Sequence, residues 1–391
     1  MNLILKLVLA IILGLLSGFY LPEVFIKIAV TISSNLSIFI SFIIPFMILA
    51  FVTKGISDLK YGAGKLLIFT SLIAYISTIL AGSLSYFMSN NIVKTIITDT
   101  MIENINKTSN IEIKEFFNIP LSPMIDVTSA LVLAFILGLS ISTIKVKNNK
   151  DTFYKLIDEF NDIIMLVLNK FIIPSLPFLI YGNFAKMAFT GSAISILSIF
   201  SKIFVCIILL HLLYILFMFI ISGIYTKKNI LLCLKNQVNP YFTAIGTQSS
   251  AATIPVNMEA AKKNGISNEI REFVIPLCAT IHLPGSMITL ITCIYTILIL
   301  EGIDISFISI IKFIMILAFV MVAAPGTPGG GVMSALPFVY LVGIDSTSFL
   351  GTLLISLYIA QDSFGTAANV SGDNAIALIV DKFFREKITK K

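Results

Sequence analysis

Apolar runs of about twenty residues or more recur along the chain, the length a helix needs to cross a hydrocarbon core of roughly 30 Å. Eight are predicted as spans: 3–21, 24–52, 66–89, 123–145, 160–189, 192–225, 273–300 and 348–380. Two other apolar stretches, 236–270 and 305–346, are interrupted midway. The first leaves the basic stretch Lys227–Lys235, passes Gly246-Thr247-Gln248-Ser249-Ser250-Ala251-Ala252-Thr253 and Pro255, and returns to Lys262-Lys263. The second carries Ala324-Pro325-Gly326-Thr327-Pro328-Gly329-Gly330-Gly331 between apolar arms. Each is too short to cross twice, so both read as re-entrant helical hairpins, with Ser249 and Ser250 near the first tip. Irregular backbone at bilayer depth is tolerated only where protein buries it or a watery cavity receives it.

The predicted fold is therefore an all-α multi-pass membrane protein of eight transmembrane helices plus two re-entrant hairpins, a single membrane domain over 1–391. Both hairpins end in a Gly-Ile pair, Gly265-Ile266 and Gly343-Ile344. Two Gly/Pro/Ser-interrupted segments in matching positions point to an inverted-repeat transporter.

The last apolar stretch breaks its own pattern. Asp362, Thr366, Asn369 and Asp373 fall within about 60° of one another at 100° per residue, so all four share one helix face. Each ionisable residue at the membrane centre costs about 2.5–3.5 kcal/mol on insertion scales, and such residues mark sites for ions or polar solutes.

Composition agrees with the membrane reading: 57% of residues are hydrophobic and 12% charged, with a mean hydropathy of +0.98. If the N-terminus is cytoplasmic and each span crosses once, eighteen basic residues face inside and six outside, as the positive-inside rule requires. The net charge of +6 then reflects topology and attraction to anionic lipid, and no nucleic-acid partner is expected. The expected location is the plasma membrane (the cell inner membrane), with both termini cytoplasmic. Residues 1–21 lack the basic region and small-residue cleavage site of a signal peptide. Cys206, Cys233, Cys278 and Cys293 lack metal-ligand spacing and read as buried free thiols. The polar stretch 93–122 reads as external, and its sequon Asn106-Lys107-Thr108 is assigned no role.

The interrupted segments supply chemistry. Helix N-termini at the tips offer free N–H groups and a positive dipole end to a carboxylate. Unwound carbonyls beside them suit a dehydrated cation. An amino acid needs a carboxylate receiver, which the tips and Asn369 supply, and an ammonium partner, which Asp362 supplies.

Three motifs, Gln248-Ser249-Ser250-Ala251-Ala252-Thr253-Ile254-Pro255, Gly326-Thr327-Pro328-Gly329-Gly330-Gly331 and Asp362 through Asp373, resemble in order and spacing those of the dicarboxylate/amino acid:cation symporter family. That resemblance implies an elevator-type homotrimer. A scaffold is expected mainly at 24–58 and 123–182 with 192–225, and a transport part mainly at 66–89 and 236–380. It implies substrate contacts from Ser249, Ser250, Ser286, Thr327, Gly331, Asp362, Gly365, Thr366 and Asn369. It further implies sodium at Asn369 and Asp373 and at backbone carbonyls of Cys278 and Thr280 in an unwound seventh span, and an extracellular gate at 325–331. No cofactor is expected beyond the coupling cation, Na+ and/or H+.

Two departures matter. Where family members with acidic substrates carry an arginine in the last helix, this chain has Gly365, and its two arginines, Arg271 and Arg385, lie at predicted cytoplasmic edges. A buried side-chain carboxylate would lack a partner, at a cost of several kcal/mol. The expectation is cation-coupled symport of a small amino acid, neutral before acidic; the alternative is sodium-coupled symport of aspartate, glutamate or C4-dicarboxylates. The second departure is Ile281-His282-Leu283-Pro284-Gly285-Ser286, where the family reads Asn-Met-Asp-Gly-Thr. His282 is open to two readings, a proton acceptor replacing a sodium ligand or a packed structural group. His211 reads as structural.

Ser250, His282 and Asp362 make the hydrolase reading formally possible, but no nucleophile-elbow pattern surrounds Ser250, and no enzyme is expected. A non-transporting sensor or a channel is the remaining alternative.

Overall fold

The computed structural model describes residues 3–58, 64–97, 113–125, 127–147, 151–191, 193–321, 329–346 and 348–388, and every regular element among them is helical. The order runs α1 (Leu3–Tyr20), α2 (Glu23–Asp58), α3 (Gly64–Ile96), α4 (Val127–Lys147), α5 (Thr152–Val167) and α6 (Ile173–Thr190). A π-helical turn, Leu168–Ile172, joins α5 to α6. There follow α7 (Ala193–Thr226), α8 (Ile230–Thr247), α9 (Ser250–Lys263), α10 (Asn268–Ile281) and α11 (Pro284–Leu300). The chain closes with α12 (Phe307–Val320), α13 (Gly330–Ala335) with its 3-10 extension Leu336–Val342, and α14 (Phe349–Ile388). Thr327 and Asn106-Lys107-Thr108 lie outside the described residues.

Among the described residues five stretches are long and apolar enough to cross a membrane: Glu23–Lys54, Leu66–Ile96, Thr152–Thr190, Ile196–Thr226 and Asn268–Leu300. Leu5–Tyr20, Val132–Lys145, Phe307–Val320 and Gly330–Val342 are shorter apolar helices. Large apolar side chains such as Leu13, Ile68, Phe87, Leu139, Ile163, Leu213 and Ile224 stand exposed on α1, α3, α4, α5 and α7. So much exposed apolar surface suits lipid and not water, and the chain is a multi-pass membrane protein.

Several expected boundaries move for identifiable reasons. The span expected from 160 starts at Thr152 and runs on through the π turn, which loosens the backbone just ahead of Pro174. The first hairpin starts at Ile230 and not at 236, because the Asn229 side chain accepts from Leu232 N at 3.0 Å and caps α8. The seventh stretch is two helices. Pro284 cannot donate to α10 and forces its predecessors out of the helical region, so His282 is extended (φ −117°, ψ 98°). The break therefore falls at His282–Leu283, and Thr280, expected in unwound chain, lies inside α10.

The Gly-Ile pairs form the same device twice. Ile266 N donates to Ala261 O and Gly265 N to Lys262 O; Ile344 N donates to Val339 O and Gly343 N to Tyr340 O. Both glycines are left-handed, φ +71° and +90°, the Schellman stop that glycine adopts without steric cost.

At the centre stands α11, with nearly every side chain from Pro284 to Leu300 buried, packed against α3, α7 and α14. Helices α1, α2, α4, α5 and α6 pack largely on one another. A second core gathers side chains of α3, α7, α8, α9, α10, α11 and α14. Helix α7, grouped with the scaffold in the sequence-based division, packs along α14 and α11. The physical reason is polar: His211 and Tyr214 on α7 bond Gly285 and Ser77.

Gly14 and Gly18, four residues apart on α1, lie against α6. A Cβ on Gly14 would come 2.7 Å from the Tyr181 carbonyl oxygen, and one on Gly18 would come 2.5 Å from Ala188 Cβ. In lipid such small-residue contacts drive helix association, since the hydrophobic effect does not. Overpacking costs about 1–3 kcal/mol. Gly18→Val is thus expected to lower the melting temperature in detergent by several degrees, while Leu16→Val, at a lipid-exposed position 49% accessible, leaves it unchanged.

Candidate functional site

Three interruptions of the chain converge on α14 between Ile359 and Asn374. At the first, Ser249 is extended (φ −141°) and its hydroxyl accepts from Ala252 N at 3.2 Å, capping α9, while Ser250 is buried as the first helical residue. At the second, Asn369 Oδ1 accepts from Gly285 N at 2.8 Å and from Ser286 N at 3.3 Å. Asn369 thereby caps α11 from a neighbouring helix, and its Nδ2 donates to Ser286 Oγ at 3.1 Å. At the third, Gly329, left-handed at φ +78°, donates its N–H to Asp362 Oδ2 at 2.6 Å. In each case a polar side chain meets an N–H that a helix start leaves without an intrahelical partner.

Of the expected substrate residues, Ser250, Ser286, Gly331, Asp362, Gly365, Thr366 and Asn369 are buried along this line, and Ser249 is half-buried. Gly365 and Gly285 let α14 and α11 touch: a Cβ on Gly285 would collide with the Gly365 carbonyl oxygen and sit 2.7 Å from Ala368 Cβ. Asn369, expected to hold substrate carboxylate and sodium, is engaged with the start of α11.

The cation residues divide. Asp373 and His282 form a buried pair, Nδ1 to Oδ1 at 2.9 Å, with side chains 1% and 0% exposed. A carboxylate only accepts, so Nδ1 carries the proton, and in the neutral ring Nε2 takes the Ser77 hydroxyl at 2.9 Å. The Tyr214 hydroxyl donates to the Ser77 carbonyl at 2.6 Å. Gly372 makes room for the ring: a Cβ there would lie 2.6 Å from His282 Cε1. Asp373 Oδ2 is buried with no hydrogen-bond partner. The Cys278 carbonyl accepts from His282 N at 2.9 Å. Thr280 is exposed, and its hydroxyl turns back to Leu277 O at 2.8 Å, away from the pair. With both ring nitrogens engaged by Ser77 and Asp373, His282 makes no triad with Ser250.

Two groups escaped the sequence reading, and His211, read there as structural, gains a specific partner. Tyr358, 1% exposed, sets its ring against Gly331, where a Cβ would lie 3.0 Å from Cζ. An amide network fastens the α8–α9 hairpin to α14: Asn257 Nδ2 donates to Val370 O at 2.9 Å, Asn374 Nδ2 to Asn257 Oδ1 at 2.9 Å, and Asn264 Nδ2 to Asn374 Oδ1 at 3.1 Å. Gln237 Nε2 adds a bond to Asn257 Oδ1 at 3.1 Å. His211 Nε2 donates to the Gly285 carbonyl at 2.9 Å, supporting the α10–α11 break from α7. Amides at helical spacing and a tyrosine in an apolar run carry no distinctive sequence signal. Among the described residues no three His, Cys, Asp or Glu side chains cluster, so a cation here would rely on hydroxyl and carbonyl oxygen beside Asp373.

Comparison with known proteins places this geometry. The profile of the Sodium:dicarboxylate symporter family matches residues 3–383. The chain is 31% identical over 226 residues to a serine/threonine transporter of Campylobacter jejuni subsp. doylei, covering 56% of this chain and 54% of that protein. It is 31% identical over 176 residues to the neutral amino acid transporter B(0) of Rattus norvegicus, covering 44% of this chain and 31% of that protein. Over 256 residues it is 27% identical to the Bos taurus protein of the same name, covering 63% and 46%. The chain thus spans about a third to a half of the length of these relatives.

Removing the donor to a buried carboxylate costs about 1–3 kcal/mol, and more for a charged group, because the acceptor stays buried without its bond. His282→Ala is therefore expected to destabilise strongly, and His282→Ala with Asp373→Ala less than the two single changes added. Melting curves of the three variants measure that coupling; strict additivity would show that the pair carries none.

Proposed function

The chain belongs to the sodium:dicarboxylate symporter family, and from that premise we propose that it is a cation-coupled symporter of a small neutral amino acid. The observation carrying this reading is the buried carboxylate of Asp362 on a helix face that offers no guanidinium beside it. The substrate ammonium pairs with Asp362. Its carboxylate lies at the start of α9, where the Ser249 hydroxyl is spent on Ala252 and the first amides, Ser250 and Ala251, point outward from the helix end. Arg271 bonds the Ile266 carbonyl at 3.3 Å, at the start of α10, and Arg385 stands roughly 30 Å along α14 from Gly365 by helical rise. A side-chain carboxylate would find no partner there. The names of the relatives, a serine/threonine and a neutral amino acid transporter, support the same class. The family description leaves dicarboxylates or acidic amino acids as the alternative.

Sodium is the coupling ion of the main reading. The orphaned Asp373 Oδ2 fits a hard cation that takes oxygen ligands, and carbonyl oxygens at the α10–α11 break complete its shell. A proton is the second reading, favoured by the direct bond between His282 and Asp373. Each net charge carried inward gains about 2.3 kcal/mol per 100 mV, close to fifty-fold accumulation.

In this reading the two interrupted segments re-enter the membrane from opposite sides. The α3 and α7–α14 group, with α7 included, slides as an elevator against the α1, α2 and α4–α6 frame within a homotrimer. The segment 325–331 serves as the outer gate, and the termini lie in the cytoplasm.

Purified protein in liposomes is expected to accumulate labelled serine under an inward sodium gradient, with alanine and threonine competing and aspartate and succinate not. Asp362→Ala should lower uptake at least ~10-fold, as loss of a hydrogen-bonded charge predicts. Uptake of aspartate in preference to serine would overturn the neutral assignment.

A further inference from the structure

The peptide plane between Gly285 and Ser286 is gripped at both ends, by two different helices. From α7, His211 Nε2 lies 2.9 Å from the Gly285 carbonyl oxygen, which also takes the Thr289 hydroxyl of its own helix at 3.2 Å. From α14, Asn369 Oδ1 takes the N–H at the other end of the plane, Ser286 N, at 3.3 Å, and Gly285 N at 2.8 Å. Asn369 Nδ2 closes the line on Ser286 Oγ at 3.1 Å. His211 is fully buried and Asn369 is 2% exposed.

Chemistry fixes the direction of these bonds. A carbonyl only accepts, so His211 carries its proton on Nε2. Its Nδ1 is buried with no hydrogen-bond partner, so a second proton there would find no acceptor, and the ring is neutral. The donors then point one way along the line, from Nε2–H to the Gly285 carbonyl and from Ser286 N–H to Asn369 Oδ1. Bonds in such a chain polarise one another where the surround is apolar. The pull of His211 on the carbonyl thus strengthens the hold of the N–H on Asn369.

Packing keeps the ring in place. Helix α7 sets Phe204, His211 and Met218 on one face at seven-residue spacing. Phe204 meets Phe364 edge-on, ring centres 5.9 Å apart. The Met218 sulfur lies 3.0 Å from where a Cβ on Gly372 would stand. His211, between them, sits against the crossing of Gly285 and Gly365, where α11 and α14 approach backbone to backbone.

The geometry points to His211 as a positioning residue for the substrate carboxylate. By holding the Gly285–Ser286 plane it sets which way round the Asn369 amide stands. Oδ1 faces the two backbone N–H groups, and Nδ2 offers the substrate the N–H that Ser286 does not use. An amide turned the other way would present its oxygen to a carboxylate and repel it. The inference rests on the amino acid transport reading and gives that site a member on α7.

The test uses the full-length protein. The chain has two histidines, so nitrogen-15 spectra of the wild type in lipid separate them. The His211 proton is expected on Nε2, and saturating serine should shift that resonance, because the substrate binds at the far end of the same line of bonds. Serine uptake is then compared in His211→Leu, which removes the donor, and His211→Gln, whose amide can replace it. His211→Leu should raise the serine KM about 5-fold, the usual effect of one neutral hydrogen bond, with maximal uptake per folded protein near wild type. His211→Gln should restore the wild-type KM. A merely structural histidine would change the amount of folded protein and leave KM alone. In a wild type that transports serine, a His211 protonated on Nδ1 or blind to serine overturns the inference alone, and these spectra need no variant to fold. Wild-type KM in His211→Leu, or no rescue by glutamine, does the same. Wild-type protein that takes up no amino acid overturns both the inference and the reading beneath it.

Discussion

Backbone N–H groups released inside an apolar surround must find acceptors, since neither lipid nor apolar side chains supply any, and each failure costs several kcal/mol. This protein breaks its helices near α14 and so creates that demand at its centre. The acceptors come from side chains: Ser249 from its own cap position, Asn369 and Asp362 from α14. The polar face of α14 is therefore first a set of caps. Its availability for a solute follows from oxygen atoms and amides left over after the caps are made, as with the second oxygen of Asp373.

Charge placement obeys the same economy of partners. Asp373 lies 1% exposed against His282, and the ring is held on its far side by Ser77. A sequence with aspartate or asparagine at 284 and 282 would leave oxygen in this space; Pro284 and His282 instead put a helix break and a ring there. The ring fits because residue 372 is glycine. The departure at His282 and the small residue at Gly372, far apart in sequence, are one packing solution.

Much of this was legible beforehand, in specific places. The face Asp362–Thr366–Asn369–Asp373 follows from helical period; the two Gly-Ile pairs were visible as a repetition, and the left-handed stops they form are the structure's addition. The break in the seventh stretch was expected too early because the resemblance located it, whereas Pro284 does. Helix α7 is apolar on all sides, so its sequence does not say which neighbour it takes; His211, bonded to Gly285 and Thr289, and Tyr214, bonded to Ser77, show that it packs on α11 and α3. Tyr358, Asn257 and Asn374 were missed for a related reason. Their significance lies in a partner on another helix, and no periodicity within one helix encodes that.

The two hairpins are held unequally, which bears on how easily each can move. The first is stitched to α14 by Asn257, Asn264, Asn374 and Gln237, each bond spanning helices, so moving it means leaving several buried amides unpaired at about 1–3 kcal/mol apiece. Among the described residues the second hairpin meets the polar face of α14 through the Gly329 N–H on Asp362 and the close fit of Gly331 on Tyr358. Its hold is thus concentrated on one carboxylate. In the proposed reading an arriving ammonium addresses that same carboxylate, so occupancy and the fit of the turn would draw on a single acceptor. Coupling of this kind needs no long-range relay, because one group takes part in both equilibria.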